Sequence, residues 1–259
     1  MSHIFNIPCR DNMKLKHVIN EVKKDKRLWT FWKCSNVVSI DRMGYTDHGP
    51  THLKIVANLS LRLLRILIDK KIVPSIVKNY NMKNEDAEVV VVLGSILHDL
   101  GIVVIRDGHE LYSAFLALEF IEKYLKTIYS EEERAVICSE VLHTVVCHED
   151  PYKPLTIEAG IVRIADALDM EEGRARIPFK AGKVDIHSVS ALSIEKVEIQ
   201  EGQEKPITIK ITMYNSAGIF QIDELLKPRI ENSGLQSYIH VVAEITGEKE
   251  RKIIEKFEI

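Results

Sequence analysis

Apolar residues recur at intervals of three and four along most of the first 184 residues, which predicts a mainly helical body. The first helical segment is predicted over residues 13–32. A longer helix is predicted to begin near Pro50, a residue suited to the first helical position, and to continue to Leu67. The same spacing predicts further helices over 86–100, 111–127, 131–147 and 156–170.

The pattern changes near residue 184, where alternation of apolar and polar positions replaces the helical spacing. An amphipathic stretch from Ile219 to Ile230 lies between two groups of strand candidates, and Pro228 within it predicts a kink or an early stop. The strand candidates, strongest first, are Ile207–Met213, Ile239–Ile245, Leu192–Ile199 and Ile253–Ile259.

The helical spacing before residue 184 and the alternation after it predict two structural units. Residues 1–184 are expected to form a helical domain, and residues 185–259 a small α+β unit with the order strand, strand, helix, strand, strand. No candidate for catalysis occurs in the second unit. We interpret it as an interaction or dimerisation module, so that a homodimer is one expectation, with ligand sensing as an alternative.

Composition and charge limit the classes of function that are expected for this protein. The chain has 259 residues, 46% hydrophobic and 28% charged, as in ordinary soluble globular proteins. Its formal net charge is -3, and residues 185–259 hold 13 acidic and 9 basic side chains. Neither unit has the basic excess of a dedicated duplex-binding protein, so nucleic acid is not an expected partner.

Cysteine spacing and hydropathy predict a reduced, cytoplasmic protein. None of the four cysteines forms a CxxC pair, and Cys147 is interpreted as a buried free thiol. The first five residues lack the pattern of a signal peptide. The longest apolar run, near residues 89–97, is too short to span a bilayer, so no membrane association is expected.

The adjacent residues His98 and Asp99 end that apolar run, where burying polar side chains is costly unless something satisfies them. An imidazole and a carboxylate side by side can both face one divalent cation. Further candidates fall in several predicted helices, which a helical bundle would bring to one pocket. They are His52, His109, His143, His148 and Asp166.

The order of these residues resembles the HD-domain superfamily of metal-dependent phosphohydrolases, over roughly residues 45–175. His52, followed by Val56-Ala57, is similar to the first histidine of the family signature. The stretch Ile96–Gly101 is similar to the His-Asp motif, and Ile164–Asp169 to the closing aspartate motif. The resemblance implies that His52, His98, Asp99 and Asp166 bind metal, and that Asp99 and His98 also act in catalysis.

Some members of this superfamily hold a second ion with additional histidines. His109, followed by Ser113-Ala114, is similar to the first of these, with a surface turn as the alternative. His143 and His148 are both candidates for the second. They are five residues apart, about 140° around a helix, so both facing one ion would require the helix to end between them. The spacing of His148 fits the family better.

The resemblance implies a metal-activated water acting on a nucleotide or another small phosphate ester. The ligand set suits manganese, iron, cobalt, nickel or zinc, as one or two ions. Asp169 is a candidate for orienting a ligand, or else a solvated acid at a helix end. Candidates for binding the substrate, each with a solvated or capping role as its alternative, are Lys54, Arg106, Arg174, Arg176 and His48.

Two other functions remain open at this point. Some dinuclear proteins of the same superfamily are iron oxygenases, and a metal-binding regulatory protein without turnover would carry the same residues. A cyclic-dinucleotide phosphodiesterase is disfavoured, because the Gly-Tyr-Pro element of that branch is absent.

Overall fold

The computed structural model describes residues 5–171 and 186–246. Helices occupy most of the first range, as the sequence pattern predicts. Their bounds are α1 Met13–Lys24, α2 Lys26–Asn36, α3 Pro50–Asp69, α4 Ser75–Tyr80, α5 Asn84–Leu97, α6 His109–Leu125, α7 Glu131–Val146 and α8 Ile157–Ala167. A π-helical turn, Val37–Arg42, follows α2, and a 3-10 turn, Leu100–Val103, follows α5.

The prediction of one helical segment over residues 13–32 was wrong in one respect, because Asp25 divides it. The Asp25 backbone is extended (φ -76°, ψ 93°), which ends α1. Its carboxylate accepts hydrogen bonds from the backbone N–H groups of Arg27 at 3.0 Å and Leu28 at 3.1 Å, which caps α2. Capping of this kind satisfies donors that have no partner inside the helix.

Helix α5 lies at the centre of the helical domain. Its residues Val89 to Leu97 are all buried, and it packs against α1, α3, α7 and α8. Gly94 permits the contact with α7, since a Cβ atom there would lie 2.3 Å from Thr144 Cγ2. Burial on all sides explains why residues 89–97 of this helix are apolar around almost the whole circumference, whereas its first turn is polar and partly exposed.

The second unit begins with α9, Ile186–Leu192, and contains a three-stranded sheet in the order β1-β2-β3. Strand β2, Ile207–Met213, pairs antiparallel with β1, Ile194–Glu201, and parallel with β3, Ile239–Ile245. These strands confirm three of the four candidates. The fourth, Ile253–Ile259, lies outside the described residues.

The predicted amphipathic stretch between β2 and β3 is helical but changes type. Gln221–Leu226 is π-helical, and α10, Lys227–Glu231, follows it directly. Pro228 lies in the first turn of α10, and the backbone stays helical through Leu226 (φ -75°, ψ -46°) and Lys227 (φ -59°, ψ -48°). The change of helix type therefore coincides with the proline, and the helical stretch does not stop there. Within residues 5–171 and 186–246, no helix has both the length and the apolar character that crossing a membrane requires.

We predict that Asp25→Asn lowers the free energy of unfolding by about 1–3 kcal/mol at pH 7, because donors that bond the charged carboxylate lose it. Asp25 is 5% exposed, and Lys123 Nζ and Tyr124 Oη each donate to Oδ2 at 2.8 Å. Urea unfolding monitored by circular dichroism measures the loss. The exposed Asp69 provides the control, since Asp69→Asn should change stability by less than about 0.5 kcal/mol.

The loss of stability caused by Asp25→Asn should depend on pH. Burial raises the pKa of Asp25, but the bonds from Lys123 and Tyr124 outweigh burial and lower it overall. A lowered folded-state pKa gives stability that is complete above the unfolded value of about 3.9 and is lost as pH falls through the folded value. The difference between wild type and Asp25→Asn should therefore be largest near neutral pH and shrink below about pH 4. A difference independent of pH would contradict this role for the charge.

Candidate metal centre

Six polar side chains meet at the ends of five helices. His52 lies in the first turn of α3, His98 and Asp99 follow α5, and His109 begins α6. The other two, His148 just after α7 and Asp166 near the end of α8, complete the group. The four histidines and Asp99 are each between 0% and 4% exposed, so almost no water reaches them.

One half of this centre contains His52, His98 and Asp166, together with one oxygen of Asp99. The Nε2 atom of His52 lies 3.4 Å from His98 Nε2 and 3.2 Å from Asp166 Oδ1. Asp99 Oδ2 lies 3.3 Å from His98 Nε2 and 3.5 Å from His52 Nε2. We call this group the His98 half.

The other half contains His109, His148 and the second oxygen of Asp99. The Nε2 atoms of His109 and His148 are 3.2 Å apart. Asp99 Oδ1 lies 3.1 Å from His109 Nε2 and 3.9 Å from His148 Nε2. We call this group the His148 half. The carboxylate of Asp99 therefore stands between the two halves and turns one oxygen to each.

The outer nitrogen of each ring is already engaged. In three rings, Nδ1 donates a hydrogen bond to a backbone carbonyl oxygen. His98 donates to Ser95 at 2.8 Å, His109 to Arg106 at 2.9 Å, and His148 to Val145 at 2.6 Å. His52 Nδ1 bonds Asp169 Oδ2 at 2.6 Å, which is the orienting role considered for Asp169. At His52, His98 and His148 these bonds favour the tautomer whose Nε2 lone pair is directed at the centre. The Nδ1 atom of His109 also lies 3.0 Å from the donor Nη1 of Arg106, so Arg106 contacts that nitrogen with both its carbonyl oxygen and its guanidinium.

Two observations indicate that the residues of this cluster are suited to binding divalent cations. Two neutral rings with facing lone pairs about 3.2–3.4 Å apart repel each other unless a cation or a proton lies between them. Asp99 Oδ2 is also buried without a hydrogen-bond partner among the described residues. Burying a carboxylate oxygen in this way is costly unless a cation compensates for it. Imidazole and carboxylate are ligands of manganese, iron, cobalt, nickel and zinc.

The electrostatics of the centre also favour positive charge. Burial lowers the pKa of His98, but the carboxylates of Asp99 and Asp166 outweigh burial and raise it to about 9. Burial raises the pKa of Asp99, yet the neighbouring His98 and hydrogen bonds from histidines hold it well below its ordinary value. Burial lowers the pKa of His148, and repulsion from His98 and His109 lowers it further. Metal ions and protons compete for such a set of ligands.

Arg163 holds the turn that carries His148, and the sequence reasoning missed it. This fully buried side chain of α8 donates to the carbonyl oxygens of Cys147 at 3.3 Å and Tyr152 at 2.9 Å and pairs with the Asp150 carboxylate. A charged residue inside an apolar helix is the signal that was available, since such residues are rarely buried without a partner.

The structure separates His143 from His148. Helix α7 ends at Val146, between them, and only His148 enters the cluster. His143 instead accepts a hydrogen bond from the Leu155 backbone N–H at 2.9 Å, and its Nδ1 lies 3.5 Å from Cys147 Sγ. It supports the loop after α7.

The residues predicted to bind substrate fall in different places. His48 is buried, with its ring centroid 5.7 Å from that of His52. Arg106 pairs with Glu149 at 3.2 Å beside His109. Lys54 lies two residues after His52 on α3, about 200° around the helix, so it projects away from His52. Arg174 and Arg176 lie outside the described residues.

We predict that His148→Ala lowers the number of metal ions bound per chain, whereas His143→Ala leaves it unchanged, because only the first variant loses a ring from the cluster. Metal-stripped protein reloaded with Mn²⁺ and analysed by inductively coupled plasma mass spectrometry gives the number of ions per chain. Equal stoichiometry in the two variants would contradict the assignment of His148.

Comparison with known proteins gives a consistent picture. The family described as HD domain matches residues 51–171, a range that contains all six residues of the cluster. A relative from Methanocaldococcus jannaschii, "Uncharacterized protein MJ1020", is 48% identical over 244 residues, covering 94% of this chain and 93% of the relative. No solved structure matches the chain. By its sequence match and its buried His/Asp cluster, the chain belongs to the HD-domain family.

Proposed function

We propose that this protein is a metal-dependent phosphohydrolase with a two-ion centre, and that it acts on a nucleotide or another small phosphate ester. The observation that carries the proposal is the position of Asp99, whose two carboxylate oxygens face different imidazoles, Oδ2 those of His98 and His52 and Oδ1 that of His109. The two sets adjoin each other, since the ring centroids of His98 and His148 are 4.7 Å apart. Paired ions about 3.5–4 Å apart are common in phosphatases and nucleases. HD-domain proteins are typically metal-dependent phosphohydrolases, which supports the same reaction class.

In this proposal the His98 half takes one ion through His52, His98, Asp99 and Asp166. The His148 half takes the other through His109, His148 and Asp99. Bound there, the ions would supply a water of lowered pKa at neutral pH and stabilise charge that develops on the phosphoryl oxygens. Manganese, iron, cobalt, nickel and zinc all suit these ligands.

The protein's own contribution is orientation and the exclusion of water. The bonds at Nδ1 hold each imidazole in place before substrate arrives, so little reorganisation is needed during the reaction. Asp99 keeps a fixed negative charge between the halves, and we assign it the further role of positioning the attacking water. Arg106 is partly exposed beside His109, and its guanidinium has further N–H donors to offer a substrate phosphate while its pair with Glu149 stays in place.

We predict that Asp99→Ala lowers hydrolysis by at least about 100-fold and reduces metal content, because both halves lose a shared ligand. The variant should remain folded, because the apolar core around α5 is unchanged and the neighbouring imidazoles can become neutral once the carboxylate that favours their charged form is gone. Metal content, release of inorganic phosphate and circular dichroism are the measurements. Asp69→Ala is the matched control. Retained activity in Asp99→Ala would contradict the proposed site.

Assays of the metal-stripped protein should identify the substrate class. Each of the five metals is added separately, and the protein is tested against nucleoside mono-, di- and triphosphates, cyclic nucleotides and simple phosphate esters. We expect hydrolysis that is equal in air and under argon, because hydrolysis involves no redox change. Activity that requires dioxygen would instead favour a di-iron oxygenase, and metal binding without turnover would favour a regulatory protein.

A further inference from the structure

Arg229 extends from the C-terminal unit to the His148 half of the centre. It lies in α10, and its side chain is 18% exposed. Its Nη1 donates a hydrogen bond to the carbonyl oxygen of His148, and its Nη2 pairs with Glu149 Oε1 at 3.2 Å. The guanidinium thus bonds the backbone of one residue of the centre and the side chain of the next residue.

Glu149 extends this network to the second histidine of the same half. Its other oxygen, Oε2, accepts a hydrogen bond from Arg106 Nη1 at 3.2 Å. The carbonyl oxygen of Arg106 accepts the bond from His109 Nδ1 at 2.9 Å. A continuous set of bonds therefore runs from Arg229 to both His148 and His109. The planar guanidinium of Arg229 bonds two different acceptors at once, which fixes their relative position as well as supplying charge.

The His98 half is held differently. The ring of His98 is oriented by Ser95 at the end of α5, and that of His52 by Asp169 just after α8. Both of these partners belong to the helical domain. Arg229 therefore supports one half of the centre through contacts that the other half does not share.

The C-terminal unit is seated closely enough for this contact to be maintained. Leu226 and Ile230, on either side of Arg229 in the chain, are buried, and α10 packs against α8. Gly160 of α8 allows the close approach, because a Cβ atom there would lie 2.4 Å from the carbonyl oxygen of Ser233 and 3.1 Å from Leu235 Cγ. A glycine at this position lets two backbones approach where a side chain would collide.

We propose that Arg229 is a positioning residue for the His148 half, so that the C-terminal unit sets the affinity for the ion bound there. The inference rests on the two-ion centre proposed above and is independent of the reaction. By thermodynamic linkage, an ion in the His148 half strengthens the seating of the C-terminal unit to the same degree. The unit is then a component of the metal centre.

The test is calorimetric titration of the metal-stripped full chain with Mn²⁺. His148→Ala and His52→Ala first assign the two binding steps to the two halves. Arg229→Ala should then weaken the His148 step by about 10- to 100-fold, the usual effect of removing a group that orients a ligand, and change the other step by less than about twofold. Arg229→Lys keeps the charge without the planar fork and should give an intermediate loss.

Lys227→Ala is the matched control, because Lys227 is an exposed cation of the same helix that pairs with Asp223 at 2.9 Å. It should leave both steps unchanged. If Arg229→Ala does not fold, Arg229→Gln replaces it, because glutamine keeps part of the side-chain volume but lacks the guanidinium that bonds both His148 and Glu149. Arg229→Gln should weaken the same step selectively.

The outcomes separate the two proposals. Two ions in wild type with both steps unchanged in Arg229→Ala would overturn the role of Arg229 and leave the centre standing. Equal weakening of both steps would indicate general destabilisation and also overturn it. A wild-type chain that binds only one ion would overturn the two-ion centre together with this inference.

Discussion

The carboxylate of Asp99 keeps a negative charge in the interior of the helical domain, 4% exposed and surrounded by imidazoles. An isolated buried carboxylate is costly, and one of its oxygens has no hydrogen-bond partner among the described residues. The negative charge of the cluster is therefore balanced only when protons or metal ions supply positive charge. The arrangement of the surrounding helices is consistent with this requirement, since each delivers a nitrogen or an oxygen to the same point.

Helix ends supply these ligands, and the helix interiors supply the core. Residues 89–97 of α5 are buried and include none of the six residues of the cluster. His98 and Asp99 follow directly after the last residue of this helix, Leu97. His109 and His148 likewise stand at the first residue of α6 and just after the last residue of α7. Carbonyl groups near the ends of helices have no helical partner, and Ser95 and Val145 use theirs to orient the rings.

The two halves of the centre depend on different parts of the chain. The His98 half is oriented by residues of α5 and α8, whereas the His148 half is bounded by Arg163 on one side and by the network of Arg229 and Glu149 on the other. The contribution that we propose for the C-terminal unit would give it a role beyond the interaction module predicted from its sequence. A homodimer stays a prediction.

The sequence by itself determined the fold class, the strands β1 to β3, most helix positions and the group of residues from which the centre is built. Periodicity carries the helix and strand positions because each helix must bury one face and each strand must alternate. The group of residues came instead from polar side chains in apolar helices and from the resemblance to the HD-domain superfamily. The extended backbone of Asp25 and its cap on α2 were not visible in that pattern, because periodicity continues across a short break. The spacing of His148 favoured it over His143, but only the tertiary structure decided between them, since the choice depends on which ring points into the pocket. The pairings of Arg163 and Arg229 were decided in the same way, because their partners come from other elements of the fold and no local pattern records a contact between distant residues.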